Sequence, residues 1–404
     1  MRPFTSTISI DDARSRLDAN VRAIERVERI GLGHALGRVA AADVTSSVEV
    51  PPFARSAMDG YAVLAADTIG ATPAAPVRLR LRDRIYTGQP SRAVVASGTC
   101  AEIATGAPIP EGADAVVMVE QTAKAGDDQV QILAAATPGQ HVGRRAADIA
   151  TGDVVVRRGN VLTPSRVGAV AAIGCPDIAV YAKPRVAILS TGNEVIEPGR
   201  PLAPGQIHDV NRFTLGAVVE MHGGVPEPHP PAGDTMDALT AALDRCQRAD
   251  LIVFSGGSSV GERDLIIDLI AASGEMIFHG VAIKPGKPTA FAVIGPGRTP
   301  FFGMPGNPTS CLSNAYILLV PFLRTLARLP PDTPRTTRVP LGRRIASSPG
   351  RHQFYTVKVQ NGAAYPAFKG SGAITSLSQA DGYIEIPADS SVVEEGTLVD
   401  VTLF

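Results

Sequence analysis

The chain has 404 residues and a net charge of −1, with 45% hydrophobic and 19% charged residues. That length and balance fit three or four globular domains of ~100–200 residues each and exclude a disordered chain. No basic excess points to nucleic acid, no polybasic run to a membrane surface, and the absence of Trp makes base stacking an unsuitable task for this surface.

Cys100, Cys175, Cys246 and Cys311 form no C-x-x-C pair, so they read as reduced thiols of a cytoplasmic protein. No apolar stretch approaches the ~18 residues that cross a bilayer, and no signal segment is visible.

The first predicted element is a helix capped by Ser9, with Ala13, Leu17, Val21 and Ile24 on one face. From Val48 to about Gly143, short Val-rich runs broken by Gly and Pro predict a β-rich insert. Thr163-Pro164 then opens a helix that Gly174 closes. Helical pieces on both sides of a β insert predict a discontinuous first domain, residues 1–47 with 144–180, around an insert at 48–143.

From Arg185 strands and helices alternate, which predicts a three-layer α/β domain with a parallel-type sheet over residues 181–328. Val186–Leu189 and Leu251–Phe254 are its buried strands. Asp209 or Asn211 caps one helix, Asp234 caps a second running to about Arg248, and a helix follows Asp264. Phe301-Phe302 leads into a turn and a helix through Leu326. Pro330–Pro334 is a linker, and residues 329–404 predict a small β domain.

Ligands of open α/β sheets sit beyond the carboxyl ends of strands. Three such ends carry unusual loops: Ser190-Thr191-Gly192-Asn193-Glu194; Ser255-Gly256-Gly257-Ser258-Ser259-Val260-Gly261; and Gly303-Met304-Pro305-Gly306-Asn307-Pro308. Glycines let backbone N–H groups approach an anion, and a following helix start adds partial positive charge. One such loop is an ordinary tight turn as readily as a site; three in one sheet are harder to explain that way.

Lys284-Pro285-Gly286-Lys287-Pro288 places two lysines on a restricted turn, able to converge on one oxyanion, and Arg351 is a further candidate. Glu194 and Asp264 end phosphate-type loops, where a carboxylate repels an anion unless a cation such as Mg²⁺ bridges them. Asp59-Gly60 reads locally as a hairpin turn. No G-x-x-x-x-G-K-[ST], dinucleotide fingerprint, H-x-x-x-H pair or G-x-S-x-G elbow is present. What remains is electrostatic chemistry on phosphates.

These motifs, with Pro51-Pro52-Phe53, Ser56–Val63 and Thr105–Asp114 upstream, occur in an order that resembles the MoeA family, to which the E domain of gephyrin also belongs. The resemblance covers essentially the whole chain. It implies a four-domain homodimer whose active site lies between the α/β domain of one subunit and the β insert of the other. It implies transfer of molybdate to adenylylated molybdopterin, with Mg²⁺, releasing AMP.

Carried over by motif, the functional polar residues are Asp59, Thr105, Asp148, Glu194, Asp234 and Asp264, with Glu194 and Asp264 on the metal side. The oxyanion falls to Lys284, Lys287, Arg351 and Ser371 or Ser376, and Pro305 and Pro308 shape the pocket. Ser258 stands where the family usually has Val, Ala146 and Ala147 stand where Gly-Glu is common, and Asp381 replaces a common Asn. The rival readings are a molybdopterin adenylyltransferase, a tungstate-using relative, and a non-catalytic scaffold. Other cofactor-biosynthesis proteins are the expected partners.

Overall fold

A computed structural model of the chain describes residues 7–89, 92, 94–256 and 265–404. These form two compact units, one of Met1–Glu28 with Tyr181–Phe404, the other of Arg29–Val180.

The first unit opens with α1 (Ile10–Asn20). Ser9 caps it by accepting a hydrogen bond from Asp12 N, and Ile10, Ala13 and Leu17 are buried on one face. In chain order there follow β1 (Arg185–Ser190), α2 (Asn211–Met221), β2 (Val225–Pro228), α3 (Met236–Arg245), β3 (Leu251–Ser255), α4 (Leu265–Ser273), β4 (Gly274–His279), β5 (Ala290–Ile294), β6 (Thr299–Met304), α5 (Pro308–Asn314) and α6 (Val320–Leu326). A π-helical segment, Ala315–Leu319, joins α5 to α6.

The six strands form one sheet in the order β2-β1-β3-β6-β5-β4. The first four are mutually parallel; β5 runs antiparallel to β6, and β4 antiparallel to β5. The expected parallel sheet is therefore mixed. Residues 274–304 hold three strands of this sheet, β4, β5 and β6, joined with no crossover helix, and such connections return antiparallel.

Strand periodicity explains the layers. Val186 and Ile188 face one side, where α1, α2 and the 315–326 segment pack. Ala187 and Leu189 face the other, against α3 and α4. Phe291, Phe302 and Phe322 pack edge to face at centroid separations of 4.9–5.4 Å. Asp234 does not cap α3; Thr235 does, accepting from Ala238 N.

Beyond the sheet, Ile283–Lys284, His352–Gln360, Gly382–Ile386, Leu398–Leu403 and Thr336–Pro340 form a second sheet around Leu341, Val357, Ile384 and Val401. Ile283 and Lys284 are thus edge residues paired with His352 and Gln353.

The second unit holds a six-stranded sheet in the order Ala115–Met118, Gly60–Val63, Thr99–Ile103, Val77–Ile85, Gln129–Ile132, Thr122–Lys124. A smaller core surrounds the helix Pro164–Ala172, which Thr163 caps and which closes at Gly174 with φ +80°. Asp59-Gly60 is not a hairpin turn: Gly60 opens a strand, where an added Cβ would come 2.0 Å from the Val117 carbonyl oxygen.

Candidate anion-binding site

The carboxyl ends of β1, β3 and β6 finish level with one another, because Ser190 pairs with Ser255 and Ser255 with Met304. Past them opens a cavity of about 980 Å³. Its wall includes Ser190, Thr191, Glu194, Ser255, Gly256, Pro305, Gly306, Asn307 and Pro308 from the three loops. The same lining brings in Lys284, Pro285, Gly286, Lys287 and Arg351, together with Ser371. Residues separated by more than 180 positions thus share one space.

Two close approaches explain glycines in these loops. A Cβ on Gly256, at φ +99°, would meet the Thr191 carbonyl oxygen at 2.5 Å. A Cβ on Gly192 would strike the Glu194 carboxylate at 2.6 Å, so Glu194 folds back over that glycine. Asn193 and Asp234 brace the same turn: Asn193 N donates to Asp234 Oδ2 at 3.1 Å, and Asp234 N donates to Asn193 Oδ1 at 3.2 Å. Gly192, Asn193 and Asp234 do not line the cavity; they hold the turn that carries Glu194.

Ser190 Oγ donates to Asp209 Oδ1 at 2.7 Å and lies 3.2 Å from Ser255 Oγ. Asp209 also accepts from Arg212 N at 3.1 Å, which makes it the side chain that caps α2. Its carboxylate is buried, and the Arg212 guanidinium balances it at 3.3 Å and reaches Glu197 at 2.5 Å. One guanidinium thus faces two carboxylates, and Lys284, Lys287 and Arg351 bring the positive charge to the cavity lining.

Lys284 Nζ donates to Ser348 Oγ at 2.9 Å, so the edge pairing of Lys284 with Gln353 and this contact both tie the lysine turn to the second sheet. Asn307 Nδ2 donates to Ser371 Oγ at 3.3 Å. Ser376 is not in the cavity: fully buried, its hydroxyl accepts from Lys369 N at 2.9 Å and shapes the loop that carries Ser371. Beside Arg351, His352 bonds Glu385 at 2.9 Å, which holds the Glu385 carboxylate below its ordinary range.

In the other unit, Thr105 N donates to Asp59 Oδ1 at 2.8 Å, joining two predicted residues 46 positions apart. Asp148 is exposed and anchored through its backbone N–H to the Val50 carbonyl. Gly257, Ser258, Ser259, Gly261 and Asp264 lie outside the described residues. Sequence reasoning missed Ser348 altogether and saw Asp209 only as a cap. His208 and Phe368 also line the cavity, and no local pattern announces either.

Three family signatures cover the chain: the MoeA N-terminal region (domain I and II) over residues 8–174, a probable molybdopterin binding domain over 187–325, and the MoeA C-terminal region (domain IV) over 338–404. Molybdopterin molybdenumtransferase 2 of Mycobacterium tuberculosis is 37% identical, with 92% of this chain and 94% of the relative aligned. The molybdopterin molybdenumtransferase of Haemophilus influenzae is 31% identical over 98% of both. A molybdopterin biosynthesis MoeA protein of Pyrococcus horikoshii superposes with a TM-score of 0.85 at 37% identity, over 98% of this chain and 99% of that one. A second, from strain OT3, gives 0.81 at 30%, over 99% and 100%. The level strand ends, the lysine turn and these full-length likenesses agree: the chain belongs to the MoeA family.

Proposed function

We propose that the chain is a molybdopterin molybdenumtransferase of molybdenum cofactor biosynthesis, which inserts molybdate into adenylylated molybdopterin and releases AMP. The observation that carries this reading is one cavity lined both by small hydroxyl and glycine residues and by Lys284, Lys287 and Arg351. The first set suits a phosphate that must approach backbone closely. The second suits a small dianion held by converging cations.

In this reading Ser190, Thr191, Ser255 and Gly256 hold the phosphoanhydride side, while Lys284, Lys287, Arg351 and Ser371 receive the oxyanion. Mg²⁺ carried in on the substrate phosphates needs only one or two carboxylates and completes its shell with water. Glu194 would hold it, with Asp264 as the second carboxylate. Bound there, the ion would neutralise phosphate charge.

Asp59, positioned by Thr105, would come from the partner subunit's insert and with Glu194 orient the water that opens the anhydride. The water oxygen forms the new P–O bond, the bridging oxygen leaves with one phosphate, and a carboxylate takes the proton. The four-domain division (1–47 with 144–180, 48–143, 181–328, 329–404) and a homodimer belong to the same proposal, as does action in the cytoplasm. No helix among the described residues is long and apolar enough to cross a membrane.

The test is an assay with adenylylated molybdopterin, Mg²⁺ and molybdate or tungstate, reading AMP and active cofactor. AMP release that requires the oxyanion supports the transferase. Consumption of added ATP, with its adenylyl group passed to molybdopterin and no oxyanion needed, would favour an adenylyltransferase, and no turnover at all a scaffold.

A further inference from the structure

Asn314 closes α5 and is fully buried, yet nothing in the mechanism uses it. Its Nδ2 donates to the Gly286 carbonyl at 2.9 Å and to Thr289 Oγ1. Thr289, also fully buried, donates back to the same Gly286 carbonyl at 3.0 Å. One amide and one hydroxyl therefore clamp a single carbonyl, midway between Lys284 and Lys287.

Gly286 sits at φ +99°, and a Cβ there would come 2.2 Å from Asn314 Nδ2. Hence the left-handed residue and the amide are fitted to each other, and neither tolerates a larger partner. The feet of the turn are held separately, by Val281 N to the Lys287 carbonyl at 2.9 Å and Gly280 N to the Thr289 carbonyl at 2.9 Å. Only its apex depends on Asn314.

The π-helical segment begins at the next residue, Ala315. Such insertions shift helix register locally and recur at functional positions. Here the register change falls where the helix must present an amide to the turn rather than another apolar side chain. The same helix starts at Pro308, which lines the cavity, so α5 links that part of the lining to the lysine turn.

We infer that Asn314 is a positioning residue for oxyanion recognition: its buried amide, with Thr289, fixes the left-handed Gly286 and thereby the angle at which Lys284 and Lys287 face the cavity. This rests on the reading that the lysine turn receives the oxyanion.

The experiment titrates the full-length protein with sodium molybdate by calorimetry, beside the KM for molybdate and for the adenylylated substrate. Asn314→Leu keeps size and loses both hydrogen bonds; Thr289→Val loses one. Loss of buried hydrogen bonds at the apex should weaken molybdate binding roughly tenfold for Asn314→Leu and severalfold for Thr289→Val. The KM for the adenylylated substrate should stay unchanged, a split that general destabilisation does not produce. If Asn314→Leu fails to fold, Thr289→Val decides. If the native protein and Lys287→Ala bind molybdate equally or not at all, the oxyanion reading of the turn falls. If Lys287→Ala weakens binding while Asn314→Leu and Thr289→Val match the native protein, only the Asn314 inference is overturned.

Discussion

His222 is one of several buried groups that make the stability of this fold depend on pH. It is buried against the Tyr316 edge at 6.4 Å, and neither ring nitrogen has a hydrogen-bond partner among the described residues. Burial lowers its proton affinity, as it does for His229 and His279. The folded state holds these rings neutral, while the unfolded chain takes up protons near pH ~6.5. Stability is therefore fully present above that value and declines as pH falls towards the lowered folded values. Glu385 adds a later loss, as pH falls through its own depressed value. His222→Leu should flatten the decline below pH ~6.5 in urea unfolding. An unchanged slope would show that His222 carries none of it. At this scale the lysine pair and the loop glycines were legible in the sequence, because their chemistry is local. Asn314 and Ser348 were not, since their partners lie 28 and 64 positions away. The only sequence sign of Asn314 was an amide interrupting the apolar run 311–319, which calls for a buried partner without naming it.

Elements were more legible than residues. Ser9 and Thr163 cap the helices expected of them, of the alternatives Asp209 and Asn211 it is Asp209 that bonds the first turn, from just before the N-cap Val210, and Val186–Leu189 and Leu251–Phe254 lie in buried strands. The errors share a cause. Asp234 and Asp59 were judged by local turn chemistry, whereas tertiary partners decide both: Asn193 occupies Asp234, and Thr105 occupies Asp59. The reversed direction of β5 also escapes, because apolar runs carry no sign of direction. Gly60 tests this view of the insert. The backbone of Val117 fills the space a side chain would need, so Gly60→Ala should destabilise the insert by about 2–4 kcal/mol. Amide exchange along 60–63 and 115–118 would report it. Unaltered protection would mean that the strands separate at little cost.

At the scale of the whole molecule, the central claim is that two residue sets cooperate in one reaction: Asp59 and Thr105 in the 29–180 unit, and the cavity set in the other. If these sets meet across a homodimer, inactive Asp59→Ala and Lys287→Ala subunits should complement when mixed. Random pairing restores about a quarter of the native sites. No recovery would place both residues of a site on one subunit. The most direct measurement remains the reaction itself. With adenylylated molybdopterin and Mg²⁺, the account predicts AMP release in step with added molybdate, one AMP per molybdopterin loaded, and loss of both in Lys287→Ala. AMP appearing at the same rate without any oxyanion, or cofactor loading without AMP, would contradict it.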